Sequence, residues 1–157
     1  MTGDVSQDHP GVVIPPPLIF GACVLLGLWS DSAWFEGQLA PMGFMLVGGS
    51  FALMGLGVIL ASIPKFFRAG TSIEPWRPAS SILSDGIYGY SRNPIYLGMA
   101  FGSLGVAIAA ASWPAAAATV IAVLVIRYYV IAREELYLER RFGEEYLTYK
   151  ANVRRWL

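Results

Sequence analysis

The chain has 157 residues, 55% of them hydrophobic and 14% charged, with a formal net charge of zero and a mean hydropathy of +0.53. That balance is too apolar and too poor in charge for an ordinary soluble domain, and the length fits a single domain over 1–157. One cysteine (Cys23) and one histidine (His9) exclude an internal disulfide and a cysteine metal cluster, and argue against histidine-dependent catalysis or any metal site.

The zero net charge hides a segregation. All eleven basic residues lie from Lys65 onward, and the first 64 residues carry acidic charge only. The basic residues bracket apolar runs rather than forming one continuous face, which speaks for membrane lipids and against nucleic acid as a partner. No basic residue precedes the first apolar run, so a cleaved signal peptide is not expected.

In chain order, residues 1–11 read as a flexible tail. Apolar runs follow at 12–29, 41–63, 94–112 and 114–132, each about 18 to 23 residues, enough to cross roughly 30 Å of hydrocarbon as a helix. The expected fold class is therefore all-α integral membrane, with about four transmembrane helices, a cytoplasmic loop over 64–93 and a helical C-terminal tail over 133–157. The prolines at 15–17 belong near the start of the first helix. Loop 30–40 has no Lys or Arg, whereas loop 64–93 and the tail are rich in both. The positive-inside rule places both termini in the cytoplasm, with Trp29, Trp34 and Trp113 at the far interface.

The second and third runs carry glycines suited to close helix packing: Gly48, Gly49, Gly55 and Gly57 in one, and Gly98, Gly102 and Gly105 in the other. The third and fourth runs form a tight hairpin at Trp113. The loop at 64–93 is about 30 residues long, too long for a mere connector, and its turn residues imply a folded segment lying against helix ends. Arg127 lies about 7–8 Å inside the fourth run by helical rise. It is either a functional group or a cation snorkelling to the headgroups. Glu134 stands seven positions on, on the same face of an unbroken α-helix, with Glu135 and Tyr128 on the neighbouring stripe. Gly143 is a candidate helix stop, followed by a short amphipathic helix on the membrane surface. Glu139, Glu144 and Glu145 read as a solvated face. Such an arrangement suits a polar cofactor from the cytoplasm and a lipid-like substrate from the bilayer.

The stretch GIYGYSRNPIYLG, followed by REELYLERRFGEEYLTY, resembles the isoprenylcysteine carboxyl methyltransferases, which are related to the phospholipid methyltransferases. The matching positions are Gly86 and Tyr88; Arg92, Asn93, Pro94, Tyr96 and Gly98; Glu134 and Glu135; and Phe142, Gly143 and Tyr146. The resemblance implies a bacterial inner-membrane enzyme that uses S-adenosyl-L-methionine. It implies cofactor contacts at Ser80, Ser81, Ile82, Leu83, Tyr88, Asn93, Pro94, Ile95, Tyr96 and Glu134. Glu134 and Arg127 are the expected catalytic pair, Glu134 near the cofactor and Arg127 holding the acceptor. Asn93 replaces the histidine of the eukaryotic enzymes, and Val130 stands near the position of a eukaryotic arginine that binds the substrate carboxylate.

Carboxyl O-methylation needs no general base, because a carboxylate is already ionised at neutral pH. The task left to the protein is positioning and charge placement. The expected substrate is an isoprenylcysteine-like or other lipid-like acceptor. The alternatives are N-methylation of a phospholipid headgroup amine, an NADPH-dependent membrane reductase, and a non-catalytic membrane scaffold. The sequence does not name the acceptor or the oligomeric state.

Overall fold

The computed structural model describes residues 9–34 and 40–157, with the side chains of 32–34 left out. Residues 1–8 of the tail expected over 1–11, the stretch 35–39 and the Trp34 side chain therefore lie outside the described residues. Among the described residues six α-helices follow in order: α1 (Pro16–Trp34), α2 (Met42–Ala69), α3 (Pro94–Ala109), α4 (Trp113–Val125), α5 (Ala132–Phe142) and α6 (Glu144–Asn152). A 3-10 turn occupies Gly86–Gly89, and a π-helical segment, Ile126–Ile131, joins α4 to α5 without a break. No strand occurs among the described residues.

Two helices among the described residues are long and apolar enough to cross a membrane: Met42–Ala69, of 28 residues, and the continuous Trp113–Phe142, of 30. Shorter apolar helices occupy Pro16–Asp31 and Pro94–Ala109. Most side chains of the long α2 helix, among them Leu46, Leu53 and Leu60, are exposed. That is the distribution of a helix surrounded by lipid rather than by protein.

Three boundaries differ from the sequence expectation, each for a local reason. Residues 12–15 are not helical. The prolines push the residues before them out of α geometry, so α1 opens at Pro16, with Leu18 N–H bonded to the Pro15 carbonyl at 2.9 Å. α2 runs past Pro64 to Ala69, where Gly70 in a left-handed conformation (φ 61°) ends it and Thr71 N–H reaches the Phe66 carbonyl at 3.2 Å. The fourth apolar run does not stop at Ala132, because α4, the π segment and α5 are one continuous rod.

α2 and α3 pack along their glycines. A Cβ on Gly98 would lie 2.7 Å from the Gly55 carbonyl oxygen, and one on Gly105 would lie 2.6 Å from that of Gly48. Gly49 and Gly57 face open space and take no part. Gly27 plays the same role between α1 and α4, where a Cβ would come within 2.8 Å of the Ala115 backbone nitrogen. The α3–α4 hairpin is tight: Ser112 N–H bonds the Ala107 carbonyl at 2.9 Å, and the Ser112 hydroxyl accepts from Ala115 N–H at 3.4 Å.

The core collects at one end of the bundle. Val12, Phe20, Tyr96, Ile126, Val130 and Ile131 form it, with Trp156 packed alongside. Val12 thus docks the segment before α1, and Val13 N–H adds a bond to the Tyr129 hydroxyl at 3.3 Å.

Candidate active site

Segments far apart in sequence converge at that end. The loop after α2 is tied to the helix by an ion pair between Lys65 and Asp85, which holds the Asp85 carboxyl below its ordinary range. Gly86 (φ 58°) turns the chain against the Lys65 stem, where a Cβ would sit 2.8 Å from Cε. The following 3-10 turn seats Tyr88 in the interior, edge-on to Phe66 with ring centroids 5.7 Å apart. Tyr137 of α5 accepts from Ala79 N–H at 3.1 Å, and the Tyr149 hydroxyl of α6 donates to the Tyr88 carbonyl at 2.7 Å. The loop is thereby stitched to both C-terminal helices. Burial pushes the Tyr88 and Tyr146 phenols up and moves Tyr149 to about 12, against the downward pull of the Arg92 charge on the last two.

Between these elements lies a cavity of about 370 Å³, within the roughly 300–1,000 Å³ usual for small-molecule and cofactor sites. Of the residues singled out from sequence, Ser81, Ile82, Leu83, Tyr88, Asn93, Pro94, Ile95, Tyr96 and Glu134 line it. Ser80 and Arg127 do not. The Ser80 hydroxyl donates to the Gly70 carbonyl at 2.9 Å, and its N–H reaches the Thr71 hydroxyl at 3.0 Å, so it shapes the loop. Arg127 is exposed, with its guanidinium 5.5 Å from the centroid of the Tyr128 ring.

The π segment accounts for Arg127. A π turn takes in one more residue than an α turn, which rotates everything beyond it by about 100°. The seven-residue spacing that would align Arg127 with Glu134 on an α-helix therefore no longer does so. Glu134 instead faces α3, where the Tyr96 hydroxyl donates to its Oε1 at 2.7 Å.

The adjacent Glu135 points elsewhere and is buried. Arg155 grips it with Nε at 2.9 Å and Nη2 at 2.5 Å, while Arg92 Nη2 lies 3.1 Å from Oε1. Arg92 lines the cavity, and its side chain is 8% exposed. Its Nε and Nη1 are buried and find no partner among the described residues. The two glutamates thus divide their work: Glu134 belongs to the cavity and Glu135 to the frame behind it.

That frame is made by the end of the tail, where sequence reading gave residues 153–157 no role. Arg92 N–H bonds the Arg154 carbonyl at 3.0 Å, and Asn93 Nδ2 bonds the Arg155 carbonyl at 3.0 Å. Tyr137, Tyr146, Tyr149 and Met99 also line the cavity, as do Pro10, Pro16 and Pro17. The tyrosine spacing on α6 carried a signal, since Tyr146 and Tyr149 are one turn apart on one face. α6 consequently covers the cavity with these rings, while Glu144 and Glu145 stay exposed and Glu139 pairs with Lys150.

Long apolar helices with a cavity at one end are the arrangement of a helical membrane protein with a candidate ligand site. A model of the phospholipid methyltransferase family matches residues 44–145, and the chain belongs to that family, which includes the isoprenylcysteine carboxyl methyltransferases. An uncharacterized protein of Haemophilus influenzae is 60% identical over 38 residues, which cover 24% of this chain and 60% of that protein's length. No solved structure matches.

Proposed function

We propose that the cavity binds S-adenosyl-L-methionine and that the chain methylates a lipid-like acceptor, by carboxyl O-methylation of an isoprenylcysteine-like or related molecule. The observation that carries this reading is the convergence of loop, α3 and α5 on one cavity, with Glu134 fixed by Tyr96 on its wall. The volume suits a nucleoside-sized ligand.

When bound, the cofactor would supply a methyl group activated by a sulfonium charge. Glu134, steadied by the Tyr96 hydroxyl, would set negative charge beside the ligand's cationic end. Ile82, Leu83, Pro94 and Ile95 would wall out water, and Tyr88, Asn93 and Ser81 would fix the ligand's orientation. A carboxylate acceptor requires no proton removal, so the lack of a nearby histidine is no obstacle. Arg127, outside the cavity beside Tyr128, is assigned to the headgroup region rather than to the acceptor. The concentration of Lys and Arg from Lys65 onward supports a cytoplasmic cavity mouth in a bacterial inner membrane.

Calorimetry of the purified protein with S-adenosylhomocysteine and with NADPH tests the cofactor. Binding of the first alone is expected, and binding of neither up to millimolar concentration would sink the reading. Isotope-labelled S-adenosylmethionine with membrane extracts then identifies the acceptor, and a labelled phosphatidyl amine in place of a carboxyl ester would favour headgroup N-methylation.

A further inference from the structure

One wall of the cavity is built differently from the rest. The chain from 71 to 80 leaves the end of α2 and returns to it, and its two ends are pinched together. The Ser80 hydroxyl donates to the Gly70 carbonyl at 2.9 Å, Ser80 N–H donates to the Thr71 hydroxyl at 3.0 Å, and Ala79 N–H donates to the Tyr137 hydroxyl at 3.1 Å. Between these ends lies a compact Ω-type loop. Its polar groups bond one another. Arg77 N–H donates to the Glu74 carbonyl at 3.1 Å, the Arg77 and Glu74 side chains pair at 2.6 Å, and the Ser72 hydroxyl donates to Glu74 Oε2 at 3.3 Å. Among the described residues, no hydrogen bond or ion pair ties 72–77 to the rest of the chain. No residue from 71 to 80 is buried, yet every residue from 72 to 77 lines the cavity. The helical walls are anchored by contrast, with Tyr96, Tyr137 and Tyr146 buried.

Swinging this loop outward breaks none of its internal bonds and leaves the pinched root in place. What resists the motion is the apolar packing of Ile73, Pro75 and Trp76 on the cavity, and Ile73 and Trp76 are already 38% exposed each. Segments with few buried contacts open at the lowest cost in a fold. We propose that residues 72–77 are a gate: a flap hinged at Gly70 and Pro78 that closes over the cavity and lets a nucleoside-sized polar ligand in and out. The identity of that ligand rests on the cofactor reading above; the motion does not. Ile73 and Trp76 are the latch, and the pinch at Ser80 keeps the flap in register as it swings. A site covered in this way exchanges its ligand at the rate the flap opens.

The test uses the full-length protein in detergent, with and without the paired substitutions Ile73→Ser and Trp76→Ser, which fall on exposed positions and so spare the fold. In a Cys23→Ala background, Met99→Cys places a single thiol on the cavity wall. Its modification by a charged methanethiosulfonate reagent reads the opening with no ligand present. The latch variant should be modified at least about tenfold faster. Leu83→Cys, on the same cavity, is the second probe position should Met99→Cys fail to fold. Stopped-flow binding of S-adenosylhomocysteine gives the other reading. A weakened gate raises the association and dissociation rates together and leaves Kd within about twofold, whereas loss of a direct ligand contact raises dissociation alone. Equal modification rates with and without the latch, or a rise confined to dissociation, overturns the gate. A wild type that binds no nucleoside ends the cofactor reading, and the thiol rates alone then decide the gate.

Discussion

Asn93 and Arg155, 62 positions apart, are joined by a hydrogen bond of 3.0 Å from the Asn93 side-chain amide to the Arg155 backbone carbonyl. The Ser91 hydroxyl reaches toward the same carbonyl at 3.5 Å and accepts from Asn93 N–H at 3.2 Å. The turn that launches α3 and the segment after α6 are therefore one local structure. Asn93→Ala removes that bond without creating a large void. The expected loss is about 1 kcal/mol of stability, with faster proteolysis after residue 150 and weaker binding of S-adenosylhomocysteine. Thermal unfolding and limited proteolysis in detergent measure the first two effects.

Glu134 and Glu135 should respond oppositely to the same substitution. In Glu134→Gln the Tyr96 hydroxyl still finds an oxygen acceptor, so the protein stays folded while turnover falls at least about tenfold. Glu135→Gln leaves two arginines without their counter-ion and costs roughly 3 kcal/mol of stability. Equal thermal stability of the two variants would contradict this division.

Arg127→Leu should leave turnover within about twofold of wild type. The guanidinium is exposed against Tyr128, outside the cavity, and an exposed cation–π contact is worth about 0.5–1 kcal/mol. A large rise in acceptor KM would return Arg127 to the catalytic role its depth in the apolar run first suggested.

The α2–α3 contact predicts a contrast between two glycines. Gly98→Ala drives a methyl into the Gly55 carbonyl and Ile59, both 2.7 Å away, at a cost of about 1–3 kcal/mol. Gly49→Ala meets nothing within 4 Å and should be neutral or stabilise by up to about 1 kcal/mol. Paired melting curves in one detergent decide the matter.

Tyr149 sets an alkaline limit. Burial raises its phenol to about 12 in the folded protein, against about 10 for a free tyrosine. The folded state holds that proton where the unfolded chain has released it. The contribution is thus fully present below pH 10 and is lost as pH rises through about 12. Tyr149→Phe should flatten the fall in melting temperature across that window. An identical fall would show that Tyr149 is not the responsible group.

Apolar runs, the hairpin and the glycine-rich faces could be read from composition and spacing because each follows from a local rule. The motif around Asn93 and Glu134 was readable through family resemblance, and nine of its ten expected cofactor positions line the cavity. Ser80 fell outside because its hydroxyl is used within the loop, a choice that depends on where Gly70 ends α2. The π segment has no compositional mark: IRYYVI would serve equally in an α-helix, and its Ile126, Val130 and Ile131 are buried with Val12 and Phe20 in a cluster that only the fold assembles. The Glu135–Arg155 pairing was hidden for a related reason. A basic tail looks alike whether it meets lipid headgroups or a buried carboxylate, and only the fold distinguishes them.

The Arg154–Trp156 clip ties several of these parts together. Its carbonyls hold the turn before α3, its guanidinium neutralises Glu135, and its indole packs on the core beside Val12. The apolar helices can be ordered by lipid and by one another, but Arg92 and Glu135 complete their contacts only with the segment that follows α6. That segment is thus a clasp, and the cavity end of the bundle depends on a handful of residues that no helix holds in place.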